Sequence, residues 1–309
     1  MSLNGVAVEP DGGLPVPLPD RFARRSGALA RTRALGRWRR RLVWAAVGVT
    51  LIALVVSAIG IDSLEQAARR GQLSDRMQPP GSGGHVLGTD RQGRDIAARV
   101  IAGTRYTFGI AALAVTIAAA IGIPLGLVGV IGNRRVRAVV ARTVDFALAF
   151  PSLVLAIVMI GLLGRSNLVL AVALGLFTWP IFARVTYGEG RGIEVLQYVT
   201  AARLFGVGKT RIVGRHVAPG IAPTIAVVTA FQFADLLIAA AGLAFLGLGP
   251  PLGTPEWGTM LSDVRGELTR APWLLLGPGI AIAWSVIVAN LVGDEIARST
   301  RAHRQAALT

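Results

Sequence analysis

Few side chains of this sequence are placed for acid–base, nucleophilic or metal chemistry. The chain has no cysteine, which excludes disulfides and thiolate metal sites. Its three histidines, His85, His216 and His303, lie too far apart in the chain to suggest a local set of metal ligands. We therefore predict no metal site and no catalytic residue, and we expect that the chain is not itself an enzyme.

Two glycine-containing segments imitate nucleotide-binding patterns. Gly208, Lys209 and Thr210 match the end of the phosphate-binding pattern GxxxxGKT. Arg203 stands where that pattern requires its first glycine, and no strand is expected before it. The segment GEGRG at residues 188–192 is interpreted as a flexible loop. The sequence thus predicts no cofactor bound by this chain.

One acidic residue lies deep inside an apolar stretch. Asp235 is the only charged residue of the segment 221–248. A carboxylate in such a place usually faces a cavity or a partner. Three roles fit it: lining a substrate route and attracting a substrate's amino group, bonding to a neighbouring helix, or remaining protonated.

The composition is that of a membrane protein. Of the 309 residues 53% are hydrophobic and only 16% are charged, and the mean hydropathy is +0.58. A net charge of +15 would suggest nucleic acid in a soluble protein. In a membrane protein, basic residues in short loops set the orientation of the spans, so we predict no nucleic-acid partner.

Six stretches are apolar and long enough to approach the roughly 20 residues that a membrane-spanning helix needs. They are residues 42–61, 106–131, 146–163, 167–182, 221–248 and 273–292. If the N-terminus is cytoplasmic, 22 of the 32 basic residues fall on the cytoplasmic side, and the positive-inside rule places both termini there. The fold class predicted is all-α, a polytopic membrane protein with six transmembrane helices.

This reading divides the chain into four parts. They are a disordered basic tail at 1–41, the first span with an extracytoplasmic segment at 42–105, a core of five spans at 106–293, and a cytoplasmic tail at 294–309. The arginines of the first tail either anchor the topology or bind lipid headgroups. Gly122 and Gly126, spaced as GxxxG, predict close approach of another helix, from this chain or from a second one.

Between the fourth and fifth spans lies a basic segment, YVTAARLFGVGKTRIVGRHVAPG at residues 198–220. Apolar positions before and within it recur at three and four residues, as in one helical stripe: Val195, Tyr198, Val199, Ala202 and Phe205. Gly206 can adopt the left-handed conformation that ends a helix. A second short helix is expected from Lys209 to Val217, closed by Pro219.

Such a hairpin cannot bury its apolar stripe alone, so it must lie on the membrane or dock into another protein. The small residues Thr200, Ala201 and Ala202 favour docking into a protein cleft. On the other side of the membrane, Asp90 is predicted to cap a surface helix over residues 92–105.

These residues resemble the "EAA" loop of ABC importer permeases. Thr200, Ala201 and Ala202 occupy the triplet, Gly206 the glycine four positions later, and Ile212 and Pro219 the I-x-x-x-x-x-x-P tail; Thr200 replaces the family glutamate. Three further segments are similar to dipeptide and oligopeptide permeases of the DppC/OppC kind. They are LGTDRQGRD at 87–95, AFPSLVLAI at 149–157 and LAFLGLGPPLGTPEWGTML at 243–261.

The resemblance implies a type I ABC importer permease in the bacterial cell membrane, forming half of a pathway for dipeptides or oligopeptides. The expected partners are a second permease, two cytoplasmic ATPase subunits that bind the ATP, an extracytoplasmic binding protein, and lipid. Related permeases carry peptides, glutathione, nickel complexes or haem. The alternative is a secondary transporter or channel not driven by ATP, in which paired intramembrane acids or repeats would be expected.

Site residues follow from this resemblance. The ATPase-coupling loop spans 188–220, with Thr200, Ala201, Ala202, Gly206, Lys209, Arg211, Ile212 and Pro219 as its contact residues. Asp235 is the candidate for the translocation pathway. The candidates for contact with the binding protein are Asp90, Arg94, Asp95 and Trp257.

Overall fold

The computed structural model describes residues 41–59, 66, 68 and 70–306, with side chains as far as residue 300. The chain divides into a short unit, Met1–Ala45, and a large compact unit, Ala46–Thr309. Of the short unit only residues 41–45 are described, so the predicted disordered tail lies almost wholly outside the described residues. The large unit carries all the features discussed below.

The described residues are helical and contain no strand. The helices are α1 (Arg41–Ile59), α2 (Ile96–Ile131), α3 (Arg134–Ala149), α4 (Ser152–Leu163), α5 (Asn167–Glu194), α6 (Gln197–Leu204), α7 (Lys209–Leu248), α8 (Trp257–Asp263) and α9 (Leu276–Ala306). Five helices are long and apolar enough to cross a membrane, and α3 with α4 supplies a sixth crossing if that bent pair is one span. The all-α membrane architecture predicted from the sequence is confirmed.

Helix α2 is the central element of the large unit. Its 36 residues extend about 54 Å, well beyond the roughly 30 Å of a hydrocarbon core. The helix begins after Asp95, whose side chain accepts a hydrogen bond from the Ala98 backbone N–H at 2.8 Å. The predicted surface helix capped by Asp90 is therefore wrong. The helix continues from Ile96 to Ile131, through Pro124, so the outer turns and the second span form one helix.

Three apolar cores follow one another along α2. The first contains Ile96 and Trp257, near the start of α2. The second joins the middle of α2 to α4, α5 and α7, through residues such as Ile110 and Phe182. The third surrounds Val130 at the end of α2. We call the end with the first core the loop end, formed by residues 70–95 and 249–275, and the opposite end the hairpin end.

Glycines let α2 and α5 approach closely in the second core. A Cβ atom built on Gly122 would lie 2.6 Å from the Phe182 Cβ, and one on Gly126 would lie 2.5 Å from the Thr186 Cβ. The helix that the GxxxG spacing predicted is thus α5 of the same chain. A side chain at either position would push apart the two helices that define the second core.

The third predicted span is broken rather than straight. Helix α3 ends at Ala149, α4 begins at Ser152, and the two axes differ by 75°. Pro151 lies at the break and disfavours a helical conformation in the residue before it. Phe150 accordingly has an extended backbone, with φ of −93° and ψ of 135°. The span predicted at 146–163 therefore consists of the end of α3 and the whole of α4.

The fourth and fifth spans run into the segment predicted as a loop at 188–220. Helix α5 continues through residues 188–192, so the expected flexible loop there is wrong. Pro219 does not close a separate helix either, because α7 passes through it without a break. A widened π-helical turn over Val213–Val217 precedes this proline. Such a turn changes the hydrogen-bond spacing where a proline would otherwise break the helix.

We predict that Gly122→Ala destabilises the folded chain, because the added methyl group meets α5 within 2.6 Å. Overpacking of this kind costs about 1–3 kcal/mol. Thermal unfolding of the purified chain in detergent measures the effect. Gly109→Ala is the matched control: it lies on the same helix, and a Cβ there has no neighbour within 4 Å. An equal unfolding temperature for the two variants would contradict the α2–α5 contact.

Candidate functional site

Helix α6 and the first turns of α7 form a hairpin, defined here as residues 197–217. Helix α6 ends in a tight turn at Gly206, which has φ of +81°. The Gly206 N–H donates to the Arg203 carbonyl at 3.0 Å, and the Val207 N–H donates to the Ala202 carbonyl at 3.1 Å. This pair of bonds is the Schellman motif, so the predicted left-handed Gly206 is confirmed and the turn is rigid.

The hairpin is packed onto the membrane helices from one side only. Val199 is fully buried against Ile212, Val213 and Val217 of α7 and Val130 of α2. The apolar stripe predicted for α6 is therefore divided. Val199 points into this core, whereas Val195, Tyr198 and Phe205 are exposed.

The tip of the hairpin is an exposed apolar surface. Leu204 and Phe205 are 84% and 88% exposed. Basic residues surround these two, and Arg203, Lys209 and Arg211 are likewise exposed. An apolar pair on a rigid turn, with basic groups beside it, is suited to a partner surface that offers an apolar cleft and acidic groups.

The residues predicted for the coupling contact fall into two groups. Most are exposed on the hairpin or beside it: Thr200, Ala201, Gly206, Lys209, Arg211 and Pro219. Ala202 is half-buried, and Ile212 is buried under the hairpin. Ile212 therefore supports the exposed residues through the core described above and does not itself offer a contact surface.

A buried carboxylate fixes the hairpin to the membrane helices. Glu194 is the last residue of α5 and is only 9% exposed. Its side chain accepts from Arg203 of α6 at 2.9 Å and from Arg137 of α3 at 3.5 Å, and it also pairs with Arg191. Charge-assisted hydrogen bonds of this kind are the stronger ones. Three helices are thereby joined at one carboxylate.

Sequence reasoning missed this cluster. Glu194 is the only acidic residue between Glu189 and Asp235, in a region with six basic residues from Arg184 to Arg215. That imbalance was the available signal. The sequence could not show which of the six arginines and lysines reach it.

At the loop end, a second buried carboxylate organises the segment 87–95. Asp90 is 2% exposed and accepts from the backbone N–H groups of Gln92 and Arg94 at 2.8 and 3.0 Å. Its other oxygen pairs with Arg94 at 2.7 Å and with Arg99 at 2.6 Å. Arg99 in turn reaches Asp263 at 3.2 Å. Asp90 thus connects the loop to α2 and to α8.

The four residues predicted for contact with a binding protein are therefore not a free surface. Trp257 is buried, and its Nε1–H donates to the Val100 carbonyl at 2.9 Å. Asp95 is the N-cap of α2 and lies 2.6 Å from His85 Nδ1. Asp90 and Arg94 have turned inward because their charges pair with each other. These side chains hold the loop in shape, and the exposed residues beside them are Arg91 and Gln92.

Glu256 is a third buried carboxylate and caps α8. One oxygen accepts from the Gly258 N–H at 3.0 Å and from the Thr107 hydroxyl at 3.2 Å. The other accepts from the Thr259 N–H at 2.7 Å and the Thr259 hydroxyl at 3.0 Å. Burial raises the pKa of Glu256, and the four hydrogen bonds oppose that rise. The residue joins α8 to α2.

Asp235 lies on α7 and lines a cavity of about 390 Å³. The break between α3 and α4, α5 and α7 form its walls, with Ser152, Thr178 and Gln232 among the lining residues. Among the described residues, no side chain forms a hydrogen bond or ion pair with Asp235. The structure thus places the predicted pathway residue at a cavity and away from the paired carboxylates.

The chain matches one protein family over more than half of its length and is similar to several transport permeases. Residues 118–301 match the model of the family described as "Binding-protein-dependent transport system inner membrane component". The chain is 37% identical over 221 residues to the dipeptide transport system permease protein DppC of Alkalihalophilus pseudofirmus, covering 72% of each chain. The glutathione transport system permease protein GsiD of Pectobacterium atrosepticum is 33% identical, with 83% of this chain and 87% of that one covered.

A nickel transport system permease protein, NikC of Escherichia coli K12, is 32% identical and covers 84% of this chain and 92% of its own. Among solved structures, the fold is similar to an inward-facing conformation of the MetNI methionine ABC transporter. The TM-score is 0.56 at 18% identity, with 65% of this chain and 95% of that chain covered. At this identity the likeness concerns the fold alone.

We predict that Glu194→Gln loosens α6, because Arg203 and Arg137 lose the charge that holds them. Loss of a buried charged partner costs about 1–3 kcal/mol. We therefore expect amide hydrogen exchange in residues 197–204 to become roughly tenfold faster, or more. Asp145→Asn is the control, since its ion pair with Arg184 spans 3.9 Å and both side chains are about two-thirds exposed. If α6 kept its protection from hydrogen exchange in Glu194→Gln, Glu194 would not be what holds the hairpin.

We predict that Glu256→Gln lowers the unfolding temperature. Whichever way the amide turns, its NH₂ group faces the N–H of Gly258 or of Thr259, and one of these donors loses its acceptor. A buried donor without an acceptor lowers the free energy of unfolding by about 1–3 kcal/mol. Because the folded-state pKa is raised, wild-type stability from this group is complete below about pH 4.3 and falls as pH rises through the raised pKa. The unfolding temperatures of wild type and variant are measured in detergent at several pH values. The difference between them should become smaller as the pH rises. A widening gap would contradict the raised pKa.

Proposed function

The chain belongs to the family of binding-protein-dependent transport system inner membrane components and is a membrane-spanning permease of an ABC importer, and we propose that it imports short peptides. The relatives support a peptide substrate, because the names of two of them specify dipeptides and glutathione, itself a small peptide. Nickel in the name of a third shows that the fold serves other cargo. Nothing in the comparisons favours a transporter or channel that works without ATP.

The hairpin is proposed as the contact with the ATPase subunits. The observation that carries this proposal is the exposed pair Leu204 and Phe205 on a turn whose geometry is fixed by Gly206. Two large apolar side chains that are more than four-fifths exposed are unfavourable in water, so a partner is expected to cover them. Thr200 supplies no charge at the position of the family glutamate, which leaves the basic groups and the apolar tip to form the contact.

The mechanism proposed is a lever. A contact at the hairpin can bias the transport pathway only if the two states of the ATPase dimer hold it differently and the motion is transmitted. Helix α7 begins in the hairpin at Lys209 and continues without a break to the cavity at Asp235. Over those residues it spans about 39 Å, and no loop lies between to absorb the motion. Glu194 fixes the other arm of the hairpin to α3 and α5.

The remaining parts of the complex are proposed from the family and the charge distribution. The hairpin end is cytoplasmic, as are both termini, in keeping with the excess of basic residues on that side. A second permease completes the pathway, two ATPase subunits bind the two hairpins, and a binding protein delivers the peptide at the loop end. The exposed residues Arg91 and Gln92, held in place by Asp90, are proposed as part of that outer contact.

We expect the double variant Leu204→Ser with Phe205→Ser to lose its binding to the ATPase subunits. Both side chains are exposed, so the change removes a contact surface and leaves the fold intact. Co-purification of the ATPase with the tagged chain, and its stimulation by loaded binding protein, are the measurements. Leu73→Ser is the matched control, an equally exposed leucine at the loop end. An ATPase that binds the double variant as well as wild type would overturn the assignment of the hairpin.

A further inference from the structure

The cavity at Asp235 is lined mainly by apolar residues but contains one carboxylate. Ten of its fourteen lining residues are apolar, and the polar ones are Ser152, Thr178, Gln232 and Asp235. Gln232 and Asp235 lie near the middle of the stretch 217–255, which has no other charged residue. The cavity therefore places one carboxylate at the depth where an unpaired charge is least favourable.

Two of the polar side chains of this cavity, Gln232 and Asp235, form no polar contact that the fold of the described residues uses. Gln232 is only 9% exposed, yet neither it nor Asp235 has a side-chain hydrogen bond or ion pair among the described residues. This contrasts with Glu194, Asp90 and Glu256, which each accept three or more hydrogen bonds or ion pairs. Buried polar groups are nearly always paired in folded proteins. Gln232 is a buried residue and Asp235 an exposed one, and both line the cavity without a hydrogen-bonding partner in the described part of the chain, which points to a ligand there.

The available atoms are suited to a cation. The carboxylate of Asp235 only accepts hydrogen bonds when ionised, and the Gln232 amide offers one acceptor oxygen. The Thr178 hydroxyl donates to the Leu174 carbonyl at 2.7 Å, so its oxygen remains free to accept. A primary ammonium has three N–H donors and one positive charge. Three acceptors and one negative charge match that group.

We propose that Asp235, Gln232 and Thr178 form a subsite for the primary ammonium group of a peptide in transit. The proposal rests on the proposed function, because it assigns to that pathway the chemical group it recognises. The ammonium would be the amino terminus of the peptide or a lysine side chain. The apolar wall, which includes Phe177 and Leu236, leaves room for side chains of varied shape beside the charged group.

The absence of cysteine allows a direct measurement of charge preference. In the complex reconstituted with its partner subunits, Ser152→Cys places one thiol of this chain in the cavity wall. The rates of its labelling by a cationic and by an anionic methanethiosulfonate are compared, after subtraction of the cysteine-free chain. Asp235→Asn is expected to lower the cation-to-anion ratio by about two orders of magnitude. One charge at roughly 10 Å in a medium of dielectric constant about 20 changes each rate about tenfold, in opposite directions for the cation and the anion.

Two variants and one peptide pair complete the test. Asp145→Asn removes an exposed acid and should leave the labelling ratio unchanged. Asp235→Asn should lower uptake of a dipeptide with a free amino terminus about tenfold, spare its N-acetylated form, and retain ATPase stimulation by loaded binding protein. Asp235→Glu should restore part of the uptake.

Several outcomes would overturn the subsite. An unchanged labelling ratio in Asp235→Asn would show that the carboxylate is protonated or shielded. Loss of the second permease from the purified Asp235→Asn complex would show that Asp235 pairs with a cation of that subunit instead. The labelling ratio does not depend on transport. If loaded binding protein did not stimulate the ATPase activity of the wild-type complex, the proposed function would be contradicted. The labelling ratio would still test whether Asp235 attracts cations.

Discussion

An ionised carboxylate that is removed from water must be paired, and this constraint organises the structure. Glu194 joins α3, α5 and α6 at the hairpin end. Asp90 and Glu256 join the loop end to α2 and α8. Loss of one partner leaves a charge uncompensated at Glu194 or Asp90 and leaves N–H and hydroxyl groups unpaired at Glu256, so each carboxyl group fixes the elements that contribute to it. Asp235 is exposed to its cavity and forms no side-chain hydrogen bond or ion pair among the described residues, and on that ground we propose it as a ligand site.

Rigidity and breakage are distributed unevenly among the helices. Helix α2 and the part of α7 as far as Leu243 are continuous, although α7 contains the widened turn at Val213–Val217. Glycines bring α2 against α5 so closely that neither can shift without the other. The sharp break lies instead between α3 and α4, at Pro151. That break and the middle of α7 both line the Asp235 cavity. In the lever mechanism proposed above, a movement of the hairpin would reach the cavity through α7.

Prolines and glycines show how far local rules extend. Gly206 adopts the left-handed turn expected of it, because the residues that require the turn are its immediate neighbours. Pro219 does not end a helix, since the widened turn before it accommodates the ring and the apolar faces of α7 continue to pack. Asp90 does not cap α2, because that helix begins only at Ile96 with Asp95 as its N-cap. Asp90 accepts instead from two backbone N–H groups of its own loop. The Pro219 prediction failed because a longer helix prevailed over the local preference, and the Asp90 prediction failed because a nearer residue caps the helix.

By itself the sequence determined that the chain is a membrane protein, approximately where its spans lie, that a basic hairpin precedes the fifth span, and which family its motifs resemble. These properties depend on the length of apolar runs and on neighbouring residues, which a linear pattern contains. Only the tertiary structure decided that α5 is the partner of Gly122, that Glu194 holds the hairpin, and that Asp235 faces a cavity while Asp90 and Trp257 face the interior. Several of these pairings join different helices, as Gly122 with Phe182 and Trp257 with Val100 do, so they are set by how the helices pack together.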